Sequence, residues 1–473
     1  MNNAISFWKA VTLLVVSFTI VLGGVIYLGA PTNITLIMAG ISIVILAMIW
    51  GINWQTIEAD LMDTLKSMFK PILILLAVGM LTGSWMLSGT IPVIIYYGLL
   101  SIDPLYFLVI TALICAAMSV MAGTSWGTIA TVGVALMGVS IGLEIPVAYT
   151  AGAIVVGALF GDKLSPLSDT TVMASAMAEI NIVDHIKHML WTTIPAFVIS
   201  LGLFLFLGFS YGGQTADQGS VNSIINTLQD NFNLNPLLLL PPIIILVLIF
   251  LKKPVLPAFA AGILVGGLMA VIFQGSSLLE LFNAMESGYT SSTGIELVDE
   301  ILQRGGLASM LGTVSLLIGA AIFGSPLKSA GVINILLEKI MQVAKSSQTM
   351  MSSTFGLHGL LFSITGSYYV TYAVLGPIIN PLYDRHKLER KNWSRTMEDT
   401  GTTFAPMIPW SVTGVFIVDT LGVPTAEYIL YAPLTYLALI FGLIYIFTGM
   451  GIAKNNSKDI EQTGEESNIR KSN

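Results

Sequence analysis

Apolar blocks of roughly 20 residues, the length that crosses a bilayer as a helix, alternate with short polar turns along nearly the whole chain. Spans are predicted near 8–28, 34–52, 70–88, 90–101 with 104–118, 120–140, 148–178, 188–208, 236–251, 255–274, 306–323, 330–344, 350–382 as two elements, 398–418 and 426–450. Several are short or interrupted by Gly and Pro, so the pattern predicts about 11 to 14 spans. Polar residues between the blocks orient them. The stretch Asp384 to Lys391, followed by Arg395, is the densest basic loop, and Lys187 and Lys252-Lys253 mark two more basic turns. Loops 209–235 and 275–303 carry Asp217, Asp230, Glu280, Glu286, Glu296, Asp299 and Glu300 without any Lys or Arg. Basic loops stay in the cytoplasm, so the two acidic loops are expected outside and both termini inside. Phe7 to Leu28 lacks a small-residue cleavage site and reads as a retained first span.

Composition agrees. Of 473 residues, 55% are hydrophobic and 10% charged, with a mean hydropathy of +0.83. A soluble domain needs a more polar surface, so the expected partner is the lipid bilayer of a bacterial or archaeal cell membrane. The net charge of −7 and the lack of a basic tract exclude a nucleic-acid partner. The single cysteine, Cys115, excludes an internal disulfide and a thiolate metal cluster. No hydrolase triad, zinc spacing or phosphate-binding loop is present. That points away from an enzyme and a bound cofactor, towards transport driven by an ion gradient.

The chain also repeats itself. At an offset of 243 residues, Gly123, Thr128, Ala130 and Gly133 meet Gly366, Thr371, Ala373 and Gly376, and Pro166, Ser168 and Thr170 meet Pro409, Ser411 and Thr413. At an offset of 241, Gly83-Ser84 meets Gly324-Ser325. The basic loop precedes the second Pro-containing segment but follows the first, at Lys187, so the copies are expected to cross the membrane in opposite directions. Inverted repeats with broken helices are the architecture of secondary transporters. The expected fold is an all-α polytopic membrane protein with inverted-topology repeats and broken transmembrane helices or re-entrant hairpins. Its expected parts are N-terminal helices (1–53), a first repeat (54–208), external loops with a linking hairpin (209–304), a second repeat (305–450) and a disordered cytoplasmic tail (451–473).

Charge inside an apolar segment is costly and marks function. Asp162, Lys163 and Asp169 lie in such a segment, around Pro166, which breaks a helix. Ser168, Thr170 and Thr171 add hydroxyl oxygens suited to a hard monovalent cation. Asp169, flanked by hydroxyls, is the preferred sodium ligand, with Asp162 second. Lys163 has several readings: an ion pair with either aspartate, a hook for an anionic substrate, a titrating partner, or a lysine that snorkels to the surface. Ser125, Trp126, Thr128, Ser367, Tyr368, Thr371, Thr402 and Ser411 are candidates for the cavity wall. Ala405 and Val412 stand opposite Asp162 and Asp169, so the acid work is expected in the first copy alone. Glu398 and Asp399 read as caps or partners of Arg395. His358, alone in an apolar stretch, is a candidate pH-sensitive group or a packing residue.

At Gly161-Asp162-Lys163-Leu164-Ser165-Pro166-Leu167-Ser168-Asp169-Thr170-Thr171 the chain resembles the NhaC family of sodium/proton antiporters, within a broader superfamily of inverted-repeat carriers. The resemblance extends to Gly123–Thr128, to Gly288-Tyr289-Thr290 and to Arg304-Gly305-Gly306, over roughly residues 5–450. It implies exchange of external protons for internal sodium, serving sodium expulsion and pH homeostasis. The alternatives are a malate/lactate-type exchanger of small organic acids and a related amino-acid transporter. Sodium is then cargo, and a homodimer is left open.

Overall fold

In a computed structural model the chain is described over residues 5–101, 103–166, 168–211, 218–251, 253–293, 295, 298–299, 302–303, 305–343 and 345–455. Expectations resting on Asp217, Lys252, Glu296, Glu300, Arg304 and the tail from 456 lie outside those residues. Two N-terminal helices, α1 (Phe7–Leu22) and α2 (Thr32–Ile49), precede the first copy. There α3 (Trp54–Leu87) turns at Ser88-Gly89 into α4 (Thr90–Ser101), bent by 68°. Gly89 supplies the positive φ of 81° that the turn requires. Next come α5 (Pro104–Ala122), α6 (Ser125–Gly142), α7 (Val147–Leu164), α8 (Asp169–Met177) and α9 (Ile182–Phe209). The connecting region holds α10 (Gln218–Asn231), α11 (Leu240–Phe250), α12 (Val255–Gln274) and α13 (Leu278–Ser287). The second copy comprises α14 (Leu311–Ser329), α15 (Val332–Val343), α16 (Ser347–Thr365), α17 (Tyr368–Arg385), α18 (Lys391–Thr400), α19 (Val412–Leu421), α20 (Thr425–Tyr428) and α21 (Pro433–Thr448).

Among the described residues, eight helices are long and apolar enough to cross a membrane, or eleven when three bent pairs each count as one span. That is the low end of the expected range. The repeat survives at the level of element boundaries. Helices α5 and α16 begin and end 243 residues apart, as do α6 and α17, while α8 and α19, and α9 and α20, start at the same offset. Gly123 and Gly366 both close their helices in the left-handed conformation, at φ 65° and 63°.

The copies run in opposite directions. At the start of α7, Tyr149 packs on Tyr431 with ring centroids 4.3 Å apart. At the far end of α8, Glu179 pairs with Arg390 and the Met177 carbonyl accepts from Asn380 at 2.9 Å. The path α7–α8 therefore runs from the Tyr431 end to the Arg390 end, and α18–α19 runs back. Each path also changes core midway. Helix α7 packs in one apolar core with α5 and α12, while Ala174 and Ala178 of α8 join a second core with α2, α16 and α17. Conversely, Trp393 and Met397 of α18 belong to the second core, and Val412, Phe416 and Leu421 of α19 to the first. The two crossings are the break after α7 and the break between α18 and α19, the second holding a short 3-10 turn, Ala405–Met407.

Candidate ion-coupling site

Helix α7 reaches the centre because glycines let it lie against α5. A Cβ on Gly157 would stand 2.3 Å from the Ala112 carbonyl oxygen, and one on Gly161 2.4 Å from that of Ala116. This is the small-residue spacing that lets membrane helices touch backbone to backbone. The next residues are Asp162 and Lys163, both buried, after which Ser165 adopts an extended conformation (φ −85°, ψ 125°) before Pro166. Asp162 Oδ2 accepts a hydrogen bond of 2.9 Å from Ser125 Oγ, at the start of α6. Thr124 caps that helix through the Gly127 amide, which fixes where Ser125 stands.

Lys163 finds its partner in the other copy. Its Nζ lies 2.7 Å from Asp399 Oδ1, with both side chains essentially inaccessible, and Thr192 on α9 donates to the same oxygen at 3.0 Å. Adjacent Glu398 is also buried; its Oε2 accepts from Thr402 Oγ1 at 2.6 Å, and Thr402 lies 2.7 Å from the Tyr372 hydroxyl. One oxygen of each acid, Asp162 Oδ1, Glu398 Oε1 and Asp399 Oδ2, has no hydrogen-bond partner among the described residues. Three carboxylates thus meet one lysine where two antiparallel helices break. Glu398 lies within electrostatic reach of Asp162, Lys163 and Asp399.

Two expectations change. The acids come from both copies, not from the first alone. Lys163 pairs with Asp399 of the other copy. Asp399 in turn is held by Lys163 across the repeat, while Arg395 donates to the Gly451 carbonyl at 2.9 Å and lies over the Tyr445 ring. Asp162 is 2% exposed, whereas Asp169, the preferred sodium ligand from the sequence, is exposed at the first turn of α8 and within electrostatic reach of Asp162. Glu398 and Asp399 were legible as charges opening an apolar segment, the same signal that singled out Asp162. Thr192 and Tyr372 carried no such signal.

The hydroxyl candidates serve mostly as local backbone partners. Ser168 caps α8 through the Thr171 amide and sits 3.0 Å from the Thr170 hydroxyl. Ser411 caps α19 through Gly414 and donates to the Ala405 carbonyl. Thr128 and Thr371 bond back to the carbonyls of Thr124 and Tyr368. Trp126 stacks on Phe416 of the other copy at 4.6 Å. Ser367 is buried at the start of α17, and Tyr368 packs 5.9 Å from Tyr372, ring to ring. Buried His358 lies 2.7 Å from Thr400 Oγ1, which itself donates to the Thr396 carbonyl. The imidazole Nδ1 therefore carries the proton in that contact. Among the described residues no group of three or more His, Cys, Asp or Glu is arranged to hold a metal ion.

A family model described as the Na+/H+ antiporter family matches residues 157–450, which include all four central charges. A Na+/H+ antiporter NhaC of Alkalihalophilus pseudofirmus is 35% identical over 446 residues, covering 94% of this chain and 96% of its own length. A malate-2H+/Na+-lactate antiporter of Bacillus subtilis is 35% identical, with 97% and 98% covered. An arginine/ornithine antiporter ArcD of Halobacterium salinarum is 33% identical, with 98% and 95% covered. Each of these matches runs over nearly the whole length of both chains, and the chain belongs to the Na+/H+ antiporter family.

Proposed function

We propose that this protein is a secondary antiporter that exchanges cytoplasmic sodium for external protons, with both termini in the cytoplasm. The observation that carries the reading is the central charge balance. Lys163 and Asp399 neutralise each other, while Asp162 and Glu398 are buried, each with one carboxylate oxygen that has no hydrogen-bond partner among the described residues. A buried carboxylate is costly unless it is paired, so each acid is driven to hold either a proton or a cation. Sodium and proton then exclude one another at the same oxygens. A carrier that crosses only when its acids are satisfied exchanges one for the other. Broken helix ends beside the acids supply carbonyl oxygens for the cation.

The alternative cargoes separate on charge. An organic acid such as malate needs a free cation at the centre. Lys163 is engaged by Asp399 and Arg395 by the Gly451 carbonyl and the Tyr445 ring, which favours an inorganic cation. The test is flux in reconstituted vesicles under an imposed pH gradient, with sodium, lithium, potassium, malate, lactate and arginine compared. Sodium is expected to drive proton movement in the wild type, and Asp162→Asn and Glu398→Gln are each expected to reduce that flux to the background of empty vesicles. Wild-type flux in both variants removes this site. Loss in Asp169→Asn with retention in Asp162→Asn moves it to the start of α8. Flux that requires an organic acid replaces sodium/proton exchange with the organic-anion reading.

A further inference from the structure

The chain beyond α21 returns to the helix that carries two of the three central acids. Residues 451–455, expected in a disordered tail, are held by a run of specific contacts. The Gly451 carbonyl accepts from Arg395 Nη1 at 2.9 Å. Asn392 grips Ala453 at both backbone groups, accepting its amide at 3.0 Å and donating to its carbonyl at 2.7 Å. The Glu389 amide donates to the same carbonyl, Asn455 donates to the Lys387 carbonyl, and Leu388 pairs with Lys454 in an antiparallel bridge. Gly451, at φ +61°, lies so close to the Trp191 ring that a Cβ would stand 2.9 Å from it. Asn392 and Leu388 are buried beneath this segment.

Helix α18 needs such a hold. It has only ten residues, and the chain unwinds directly after Thr400, so no continuing helix fixes its inner end. Asn392 lies about 10 Å along the axis from Asp399. A tilt at the Asn392 end is therefore felt at the acids as a displacement relative to Lys163 and Ser125, which stand on the other copy.

We infer that Gly451–Asn455 is a positioning strap for the coupling site: by fixing the outer end of α18 it sets where Glu398 and Asp399 stand opposite Asp162 and Lys163. The strap touches neither cargo nor acids; it acts through Asn392 and Arg395. The inference rests on the site reading above. Its test is sodium KM and kcat in reconstituted vesicles for four proteins: the full chain, a chain ending at Asn455, a chain ending at Met450, and Asn392→Ala. Ending at Asn455 leaves sodium KM unchanged. Ending at Met450 and Asn392→Ala each raise it about tenfold with kcat close to wild type, as expected for loss of a pair of hydrogen bonds that hold geometry. Asn392→Ala keeps the Gly451 and Asn455 contacts and so stays informative where the shorter chain fails to fold. Unchanged KM in Asn392→Ala overturns the strap. So does a smaller folded fraction whose remaining molecules keep a wild-type KM, because that is a structural role alone. Glu398→Gln measured alongside separates the two levels: if it behaves as wild type, the site reading has failed and the strap with it. A defective Glu398→Gln beside a normal Asn392→Ala overturns the strap only.

Discussion

Among the described residues, Lys163 forms the ion pair that joins the two copies at their centre. Both it and Asp399 are inaccessible, and their contact spans 236 positions of chain. Removing one member of such a pair strands the other in a medium that solvates it poorly. Lys163→Ala is expected to cost about 3–5 kcal/mol, read as a lower melting temperature in detergent. Lys163→Leu combined with Asp399→Leu is expected to recover most of that loss while leaving sodium-driven proton flux absent. A single variant that melts as the wild type does would show that the pair is not formed. The residue scale is also where the sequence was least sufficient. Asp162 and Lys163 were legible because they interrupt an apolar run. Their partners were not, since Arg395 lies four positions before Asp399, within electrostatic reach of it, and the sequence favours that local pairing over the contact with Lys163.

At the scale of elements, the repeat was legible in some detail. Seven residue matches at one offset anticipated helix boundaries that agree to the residue in α5 with α16 and α6 with α17. Glycine and helix-capping positions are set by local backbone geometry, so they survive divergence that erases the rest. The extent of unwinding was not legible. Helix α7 continues for 18 residues and α18 for ten; α18 ends at Gly401 (φ −111°, ψ −90°), where a Cβ would stand 2.6 Å from the Met397 carbonyl oxygen and 2.8 Å from the Tyr372 ring. The α5–α7 contact makes its own prediction. Gly161→Ala places a methyl 2.4 Å from a backbone oxygen that cannot step aside, so it should destabilise by about 1–3 kcal/mol and impair flux by moving Asp162. Gly202→Ala on α9, with nothing within 4 Å, should melt at or slightly above the wild-type temperature. Equal behaviour of the two variants would mean that α5 and α7 do not pack as closely as they do here.

For the whole molecule, the charge distribution bears on which end faces the cytoplasm. The geometry alone makes the two ends distinct: one gathers Arg390, Lys391, Lys187 and the strap, the other Tyr149, Tyr431 and α10. Basic side chains resist translocation during insertion, so the Arg390 end is expected inside. Exposed reporter positions test this without touching the site. Lys387 is exposed beside the strap and Asp230 is exposed at the end of α10, while native Cys115 is buried and gives little background. In intact cells a membrane-impermeant thiol reagent should label Asp230→Cys and spare Lys387→Cys; permeabilised cells should show both labelled. The neighbouring Leu388 is unsuitable, because it is buried under the strap. The reverse pattern would invert the molecule. With it, the broken end of α7 would approach from the cytoplasm, and sodium expulsion would have to start from the Tyr149 face. The same antiparallel copies serve either orientation, and the distribution of basic loops is what selects between them. Moving that distribution is therefore the strongest form of the test: replacing Lys387, Arg385 and Lys391 with glutamine should leave the packed core intact yet yield a mixed labelling pattern at Asp230→Cys.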